Sequence, residues 1–322
     1  MLALVTGAGG FLGRALVAAL AARGDRVRAL VRRPAPALSG TGVEVLQGDV
    51  LDPAALAAAV RGAEVVFHLA GVRRAAERDE FFRVNAGATR LLLEACAAGA
   101  PSLRRFVLAG SRAASPPSAT GLDEDAPLRP AEWYGESKAE AERIAFQYRD
   151  RLPVTVARPP RIVGAGDREN LLFFRLARAG WALRLGDRPL SWIDVDDCAA
   201  GLLLLAERPE AIGAPFFLAS EERTSVEGLM RAAAAALGVR PRVVAVPGPL
   251  LAGAGALADL ASRLSGRRLP FGRKLARQLL APGWVCDAGR ARARLGFTAP
   301  TPLATSIGRA ADWYRREGLV RP

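Results

Sequence analysis

The sequence predicts an α/β fold, a doubly wound parallel sheet with a smaller C-terminal α/β lobe, and three observations carry that prediction. Short apolar runs alternate with alanine- and leucine-rich helical patterns from residue 2 to residue 157, the rhythm of βαβ units. The first run passes through a glycine turn, Thr6-Gly7-Ala8-Gly9-Gly10-Phe11-Leu12-Gly13, into a helix. Over 158–322 the alternation loosens into capped helices and isolated strands, which suits a substrate-binding lobe, with a return of the chain to the sheet around 190–218.

A strand before and a helix after give the glycine turn the context of a dinucleotide loop. Gly7 permits the tight turn, Gly10 lets the backbone approach a pyrophosphate, and Gly13 lets helix and strand pack closely. Phe11 and Leu12 open the helix whose N–H groups face that anion. The sheet is therefore expected to be of Rossmann type, with 1–157 as its nucleotide-binding domain. The second strand, 26–31, runs into Arg32 and Arg33 where a carboxylate for a ribose diol would stand. Two arginines there can bind a 2′-phosphate, so NADP(H) is favoured over NAD(H).

A third strand is expected at 43–46, and Asp52-Pro53 caps a helix over 54–60. Between them Asp49, beside Val50, can accept from an adenine amino group or from its own turn amides. A fourth strand, 65–71, ends in Leu69-Ala70-Gly71, which lets a cofactor pass close to the backbone. His68 within that strand reads as a packed core histidine. A helix over 80–98 contains Asn85, which either bridges backbone and water near the site or is a surface polar residue. The fifth strand, 105–109, ends at Gly110-Ser111, where a serine points at the ligand crevice of an open α/β sheet. The stretch 112–130 reads as a loop, followed by a helix from Tyr134 to about residue 149 and a sixth strand at 154–157. Helices follow at 169–179, 194–207, 225–237, 248–265, 272–280, 287–295 and 302–316, with strands at 190–193, 215–218 and 242–246.

Tyr134-Gly135-Glu136-Ser137-Lys138 puts a phenol and an ammonium four residues apart on one helix face. The cation favours phenolate, so Tyr134 can exchange a proton near neutral pH, and the ammonium keeps donors for sugar hydroxyls. Tyrosine and lysine at this spacing also occur as plain surface pairs. Composition tilts the choice: of 45 Lys plus Arg only Lys138 and Lys274 are lysines, and a planar guanidinium does not replace a compact ammonium.

The formal charge of +13 raises a nucleic-acid or anionic-membrane partner. Scattered arginines with no long basic run argue against both, and 6% aromatics leave few platforms for stacking bases. Cys96, Cys198 and Cys286 lack metal-ligand spacing, and His68 is the one histidine, which argues against a metal site and a Ser-His-Asp triad. The cysteines suit a reducing, cytoplasmic compartment, and no leader is visible. The apolar stretch 250–260 is too short to span a bilayer; it can line an apolar pocket or touch a membrane surface.

Taken in order, these motifs resemble the extended short-chain dehydrogenase/reductase superfamily, the NAD-dependent epimerase/dehydratase family. The matching pieces are Thr6 to Gly13, Gly48-Asp49, Phe67 to Gly71, Asn85, Ser111, Tyr134 with Lys138, Arg158-Pro159, Gly164-Ala165-Gly166-Asp167 and Ile193-Asp194-Val195-Asp196-Asp197. The tail from Trp284 through Leu295-Gly296-Phe297 to Trp313-Tyr314 is similar too. The resemblance implies Tyr134 as acid/base, Lys138 as its support and holder of the nicotinamide ribose, and Ser111 as a hydrogen-bond partner of the reacting oxygen. It places Asp49 and Val50 by the adenine, Ala70 and Gly71 along the cofactor, and Pro159 and Ile162 by the nicotinamide. It also implies a homodimer through a four-helix interface of helices 80–98 and 131–150.

Ser111 is followed by Arg112-Ala113-Ala114 rather than the acidic pair of sugar-nucleotide dehydratases, which argues against dehydration. Leu190-Ser191-Trp192 lacks the arginine usual in sugar-nucleotide epimerases, although Arg188 is near. These departures resemble the branch of 3β-hydroxysteroid dehydrogenase, dihydroflavonol reductase and 2-alkyl-3-oxoalkanoate reductase. The expected activity is hydride transfer between NADP(H) and a ketone or secondary alcohol of a small hydrophobic molecule. A nucleotide-sugar epimerase with tightly held NAD and a non-catalytic NADP(H)-binding regulator are the alternatives.

Overall fold

The computed structural model describes residues 1–38, 42–265, 269 and 271–320. The first half runs β1 (Leu2–Thr6), α1 (Phe11–Ala22), β2 (Arg26–Val31), β3 (Glu44–Gln47), α2 (Pro53–Ala59), β4 (Val65–His68), α3 (Arg78–Phe81), α4 (Ala88–Gly99), β5 (Arg105–Ala109), β6 (Ser118–Leu122), α5 (Trp133–Gln147) and β7 (Val154–Ala157). The second runs β8 (Arg161–Val163), α6 (Leu171–Arg178), β9 (Trp181–Arg184), β10 (Leu190–Asp194), α7 (Val195–Glu207), β11 (Pro215–Phe216), β12 (Arg223–Thr224), α8 (Val226–Ala236), β13 (Arg242–Ala245), α9 (Gly248–Ser265), α10 (Arg273–Leu280), β14 (Trp284–Cys286), α11 (Gly289–Leu295) and α12 (Leu303–Arg316).

Seven strands pair in parallel in the order β11-β7-β5-β4-β1-β2-β3. Strands β1, β4, β5 and β7 are buried along their whole length, as apolar runs covered on both faces must be. Alternate side chains serve opposite faces. Ala3 and Val5 share a core with Leu16, Leu20, Leu202 and Leu205 of α1 and α7. Leu4, Val66 and Phe106 share another with Leu56, Leu92 and Ile144 of α2, α4 and α5. The strand order reverses between β1 and β4, so the crevice at their carboxyl ends is the binding edge of this doubly wound sheet.

The smaller lobe holds a second sheet, β12-β10-β14-β6 with β8 beside β10, and a β13-β9 pair. Its core gathers Phe173, Phe174, Trp192, Met230 and Tyr314.

The structure departs from the sequence expectation in several places. The expected loop 112–130 contains β6, which pairs with β14, a partner too distant in sequence for local periodicity to reveal. Strands β8, β9, β12 and β14 escape the sequence reading for the same reason. Strand β4 stops at His68 rather than Gly71, because the chain turns out of the sheet after the Leu69 N–H donates to the Thr6 carbonyl at 3.2 Å. The helix expected over 80–98 divides into α3, a π-helical turn over Phe82–Gly87 and α4. Asn85 sits in that turn, fully buried.

Candidate active site

Glycine geometry forms the first part of the site. Gly7 has φ +71°, and a Cβ on it would lie 2.6 Å from the Ala70 nitrogen; a Cβ on Gly13 would lie 2.2 Å from the Gly7 carbonyl. The turn after β1, the start of α1 and the segment after β4 therefore meet with no room for side chains. Gly10 caps α1 with backbone only, and no acidic side chain stands in the first turn. This cradle fits a dinucleotide pyrophosphate. Phe11 and Leu12, in the first turn of α1, are half-buried.

Arg32 and Arg33 are exposed just beyond β2. A Cβ on Gly9 would lie 3.7 Å from Ala35 Cβ and 4.0 Å from Val31 Cγ1, so the segment carrying both arginines runs beside the glycine turn. Asp49 is half-buried past β3 and accepts from the Leu51 N–H at 2.9 Å, so one of its oxygens serves its own turn. Val50, Leu69 and Ala70 are half-buried, and Gly71 is exposed.

Ser111 and Tyr134 both line a cavity of about 550 Å³ between the sheet and the smaller lobe. Gly135 brings them together: a Cβ there would lie 2.2 Å from the Ala113 carbonyl, so only glycine lets α5 approach the turn that follows Ser111. Ser111 Oγ accepts from the Ala113 N–H at 3.1 Å and keeps its own hydrogen to donate. Tyr134 is half-buried, with Phe81 edge-on at 6.4 Å and the Arg73 guanidinium 5.7 Å from its ring centroid. Lys138 lies one turn further along α5, buried, and Nζ donates to the Ala109 carbonyl at 2.7 Å. Burial first and the charge of Arg73 second push its pKa down to about 8.

Behind these residues runs an ordered polar chain. Thr89 Oγ1 donates to the Asn85 carbonyl at 2.7 Å, so it can only accept from His68 Nε2 at 3.1 Å. His68 is thus the Nε2–H tautomer, and its Nδ1 accepts from Thr6 Oγ1 at 2.7 Å. Burial, then the charge of Lys138, push its pKa down to about 3, so it stays neutral. Asn85 fixes Val72 by two hydrogen bonds, 2.8 and 3.0 Å, and donates to Ser137 Oγ at 2.9 Å. Ser137 in turn donates to the Tyr134 carbonyl at 2.8 Å. Of the two sequence readings, Asn85 is no surface residue.

Pro159 is buried, and its carbonyl accepts from the Arg112 N–H at 3.0 Å; its neighbour Pro160 lines the cavity. Ile162 packs against the core of the larger sheet. Arg112 is buried, its guanidinium on the carbonyls of Val285, Ser115 and Pro116. Arg188 likewise holds the carbonyls of Leu185, Leu280 and Ala281. Sequence reasoning did not single out Arg73 or Glu132. Glu132 lines the cavity two residues before Tyr134; it accepts from Gln278 Nε2 and lies 3.6 Å from Lys274 Nζ. No local pattern marks either residue, because each meets partners from distant segments.

A doubly wound sheet with this glycine turn, serine and tyrosine-lysine pair defines a nucleotide-dependent enzyme of the short-chain dehydrogenase/reductase class. The chain belongs to the NAD dependent epimerase/dehydratase family, whose profile matches residues 3–217. It is 36% identical to the ceramide reductase of Caulobacter vibrioides over 98% of this chain and 95% of that protein. It is 32% identical to the 2-alkyl-3-oxoalkanoate reductase of Stenotrophomonas maltophilia over 95% of this chain and 97% of that one. Among solved structures, MoeE5 in complex with UDP-glucuronic acid and NAD superposes with a TM-score of 0.77 at 28% identity, covering 98% of this chain and 99% of the other. Named reductases among its relatives place the chain among oxidoreductases of this family.

Proposed function

We propose that this protein is an NADPH-preferring reductase that interconverts a ketone and a secondary alcohol on a hydrophobic small molecule. The observation that carries this reading is the placement of Ser111 and Tyr134 on one cavity, whose other wall includes Leu171, Leu172, Phe173, Leu275 and Leu279. The bound nicotinamide would supply the hydride. The chain's own residues do the rest. Ser111 donates to the substrate oxygen, and the Tyr134 phenol delivers the proton to that oxygen as the carbon accepts hydride. Lys138 and Arg73 supply positive charge for the phenolate left behind. Reprotonation from solvent closes the cycle.

Gly7, Gly10, Phe11, Leu12 and Gly13 would hold the pyrophosphate, with Asp49 and Val50 at the adenine and Leu69, Ala70 and Gly71 along the cofactor, where Asn85 holds the segment through Val72. Pro159 and Ile162 would lie toward the nicotinamide, and Lys138 would hold its ribose. The NADPH preference is supported by Arg32 and Arg33, exposed beside the glycine turn with no acidic residue there to repel a phosphate. The names of these relatives, a ceramide reductase and a 2-alkyl-3-oxoalkanoate reductase, support the reduction of a carbonyl. We further propose a cytoplasmic homodimer built on the flank where α4 and α5 lie side by side.

The test is a screen of apolar ketones with NADPH, run on the parent and on Tyr134→Phe. Tyr134→Phe should lose two or more orders of magnitude in kcat, in line with the ~10²–10⁴-fold worth of a positioned acid/base, while NADPH affinity stays within a few-fold. Full activity in that variant would remove the mechanism. An epimerase reading is favoured by the arginines on the cavity wall, Arg161, Arg168 and Arg175, and by the likeness to MoeE5. It requires near-stoichiometric NAD released on denaturing freshly purified protein; empty protein or traces of NADP(H) support the reductase.

A further inference from the structure

Helix α9 has two unlike faces. Leu251 and Gly255 are buried against α10, so closely that a Cβ on Gly255 would lie 2.9 Å from Ala276 Cβ. The opposite face carries Leu250, Leu257, Leu260 and Leu264, which are 66%, 68%, 52% and 81% exposed. Their spacing of seven, three and four puts them on one stripe. Gly253, Ala254 and Ala261 fill the gaps, so no charge interrupts that face. Leu269, 46% exposed, follows in the connection to α10. One exposed leucine is ordinary; five on a single hairpin mark a contact surface.

The surrounding charge identifies what covers it. Arg263, Arg273 and Arg277 are exposed on the same hairpin. Asp259 is the one acidic residue between 248 and 280, and it turns inward to accept from the Arg273 N–H at 3.2 Å. A second copy meeting this face about a two-fold axis would set these cations against their own kind. An anionic lipid surface matches both the leucines and the arginines. The inner side of the hairpin is a wall of the cavity, through Leu269, Phe271, Leu275 and Leu279. Leu269 belongs to both surfaces. Among the described residues no helix is long and apolar enough to cross a membrane, so contact is along the surface.

We propose that the α9–α10 hairpin docks on an anionic phospholipid bilayer, leucine stripe down, and sets the mouth of the cavity at the lipid. The docking stands on this face alone; delivery of substrate from the lipid rests on the reductase reading above. The test is flotation of the full-length protein with phosphatidylcholine vesicles, with and without phosphatidylglycerol. The parent should float with the anionic vesicles, less with phosphatidylcholine alone, and less again as salt rises. Leu257→Glu with Leu264→Glu should cut binding tenfold or more, and Arg273→Gln or Arg277→Gln about fivefold each. All variants should keep the parent's melting temperature and NADPH affinity. Failure of the parent to float, or equal flotation of the leucine variant, overturns the proposal. So does concentration-dependent dimerisation that the leucine variant abolishes without vesicle binding, since a second copy would then cover the stripe. Flotation without ketone reduction leaves docking intact and sinks the reductase reading; reduction of a soluble ketone without flotation does the reverse.

Discussion

Lys138 holds its charge against its surroundings. It is 6% exposed, Ala109 supplies a carbonyl to its ammonium, and the groups facing it are Arg73 and a neutral His68. Its pKa falls from 10.5 to about 8. Below pH 8 the folded and unfolded chains both carry the proton, and the full cost of burying the charge stands. Between about 8 and 10.5 the unfolded chain binds a proton that the folded one has released, so stability rises with pH. A shift of this size corresponds to roughly 3 kcal/mol. Lys138→Met should therefore be more stable than the parent at pH 7, by up to about 3 kcal/mol, with the gap closing toward pH 10. Urea denaturation of cofactor-free protein at the two pH values measures it; a gap that does not change with pH would contradict the assignment. The spacing of Tyr134 and Lys138 and the place of Ser111 at a strand end were legible because both are local. Arg73 was not, since nothing near it in sequence tells that it turns over the ring of Tyr134.

Helix α5 does more than carry the tyrosine. Glu142, five residues before its end on the inner face, makes a bidentate pair with Arg158, and both side chains are at most 4% exposed. Arg158 also donates to the Glu124 carbonyl at 2.9 Å, and Glu124 accepts from the Phe217 N–H at 2.8 Å. One buried pair thus ties α5, the end of β7 and the segment after β11. Glu142→Ala would leave the guanidinium buried and unpaired, at a cost of about 3–5 kcal/mol. Glu140→Ala on the same helix removes only an exposed partner of Arg143 and should change stability by less than about 1 kcal/mol. Denaturant midpoints of the two variants make the comparison, and similar losses would show that Arg158 finds another acceptor. The helices were legible because periodicity and caps are local: Asp52, Asp194 and Ser225 each cap as their sequence positions suggest. The strands that escaped are two to five residues long and pair only with distant segments. The π turn escaped because its register is set by Asn85 reaching Val72 and Ser137.

At the scale of the molecule, the chain does not build one lobe and then the other. It places β6 in the second sheet before β7 completes its pairing with β5 in the first. It lays β8 and β10 in the second sheet, then returns with α7 against α1 and with β11 against β7. The alternating βα rhythm made the strands of the first sheet and its parallel, doubly wound class legible, whereas the strand order and the crossings depend on contacts that no single segment encodes. Residues 1–157 alone would lack α7 and β11, so Leu16, Leu20 and Val17 would lose Leu202, Leu205 and Phe216 from the core they share. Strand β7 would become a bare edge. The full chain should then unfold in one cooperative transition, since neither lobe closes its core by itself. The isolated 1–157 fragment should bind a hydrophobic dye, melt without cooperativity and fail to bind NADPH, despite holding the whole glycine turn. Circular dichroism melts and NADPH fluorescence on both chains decide it. A fragment that melts cooperatively and binds the nucleotide would mean that α7 and β11 cover a core already stable without them.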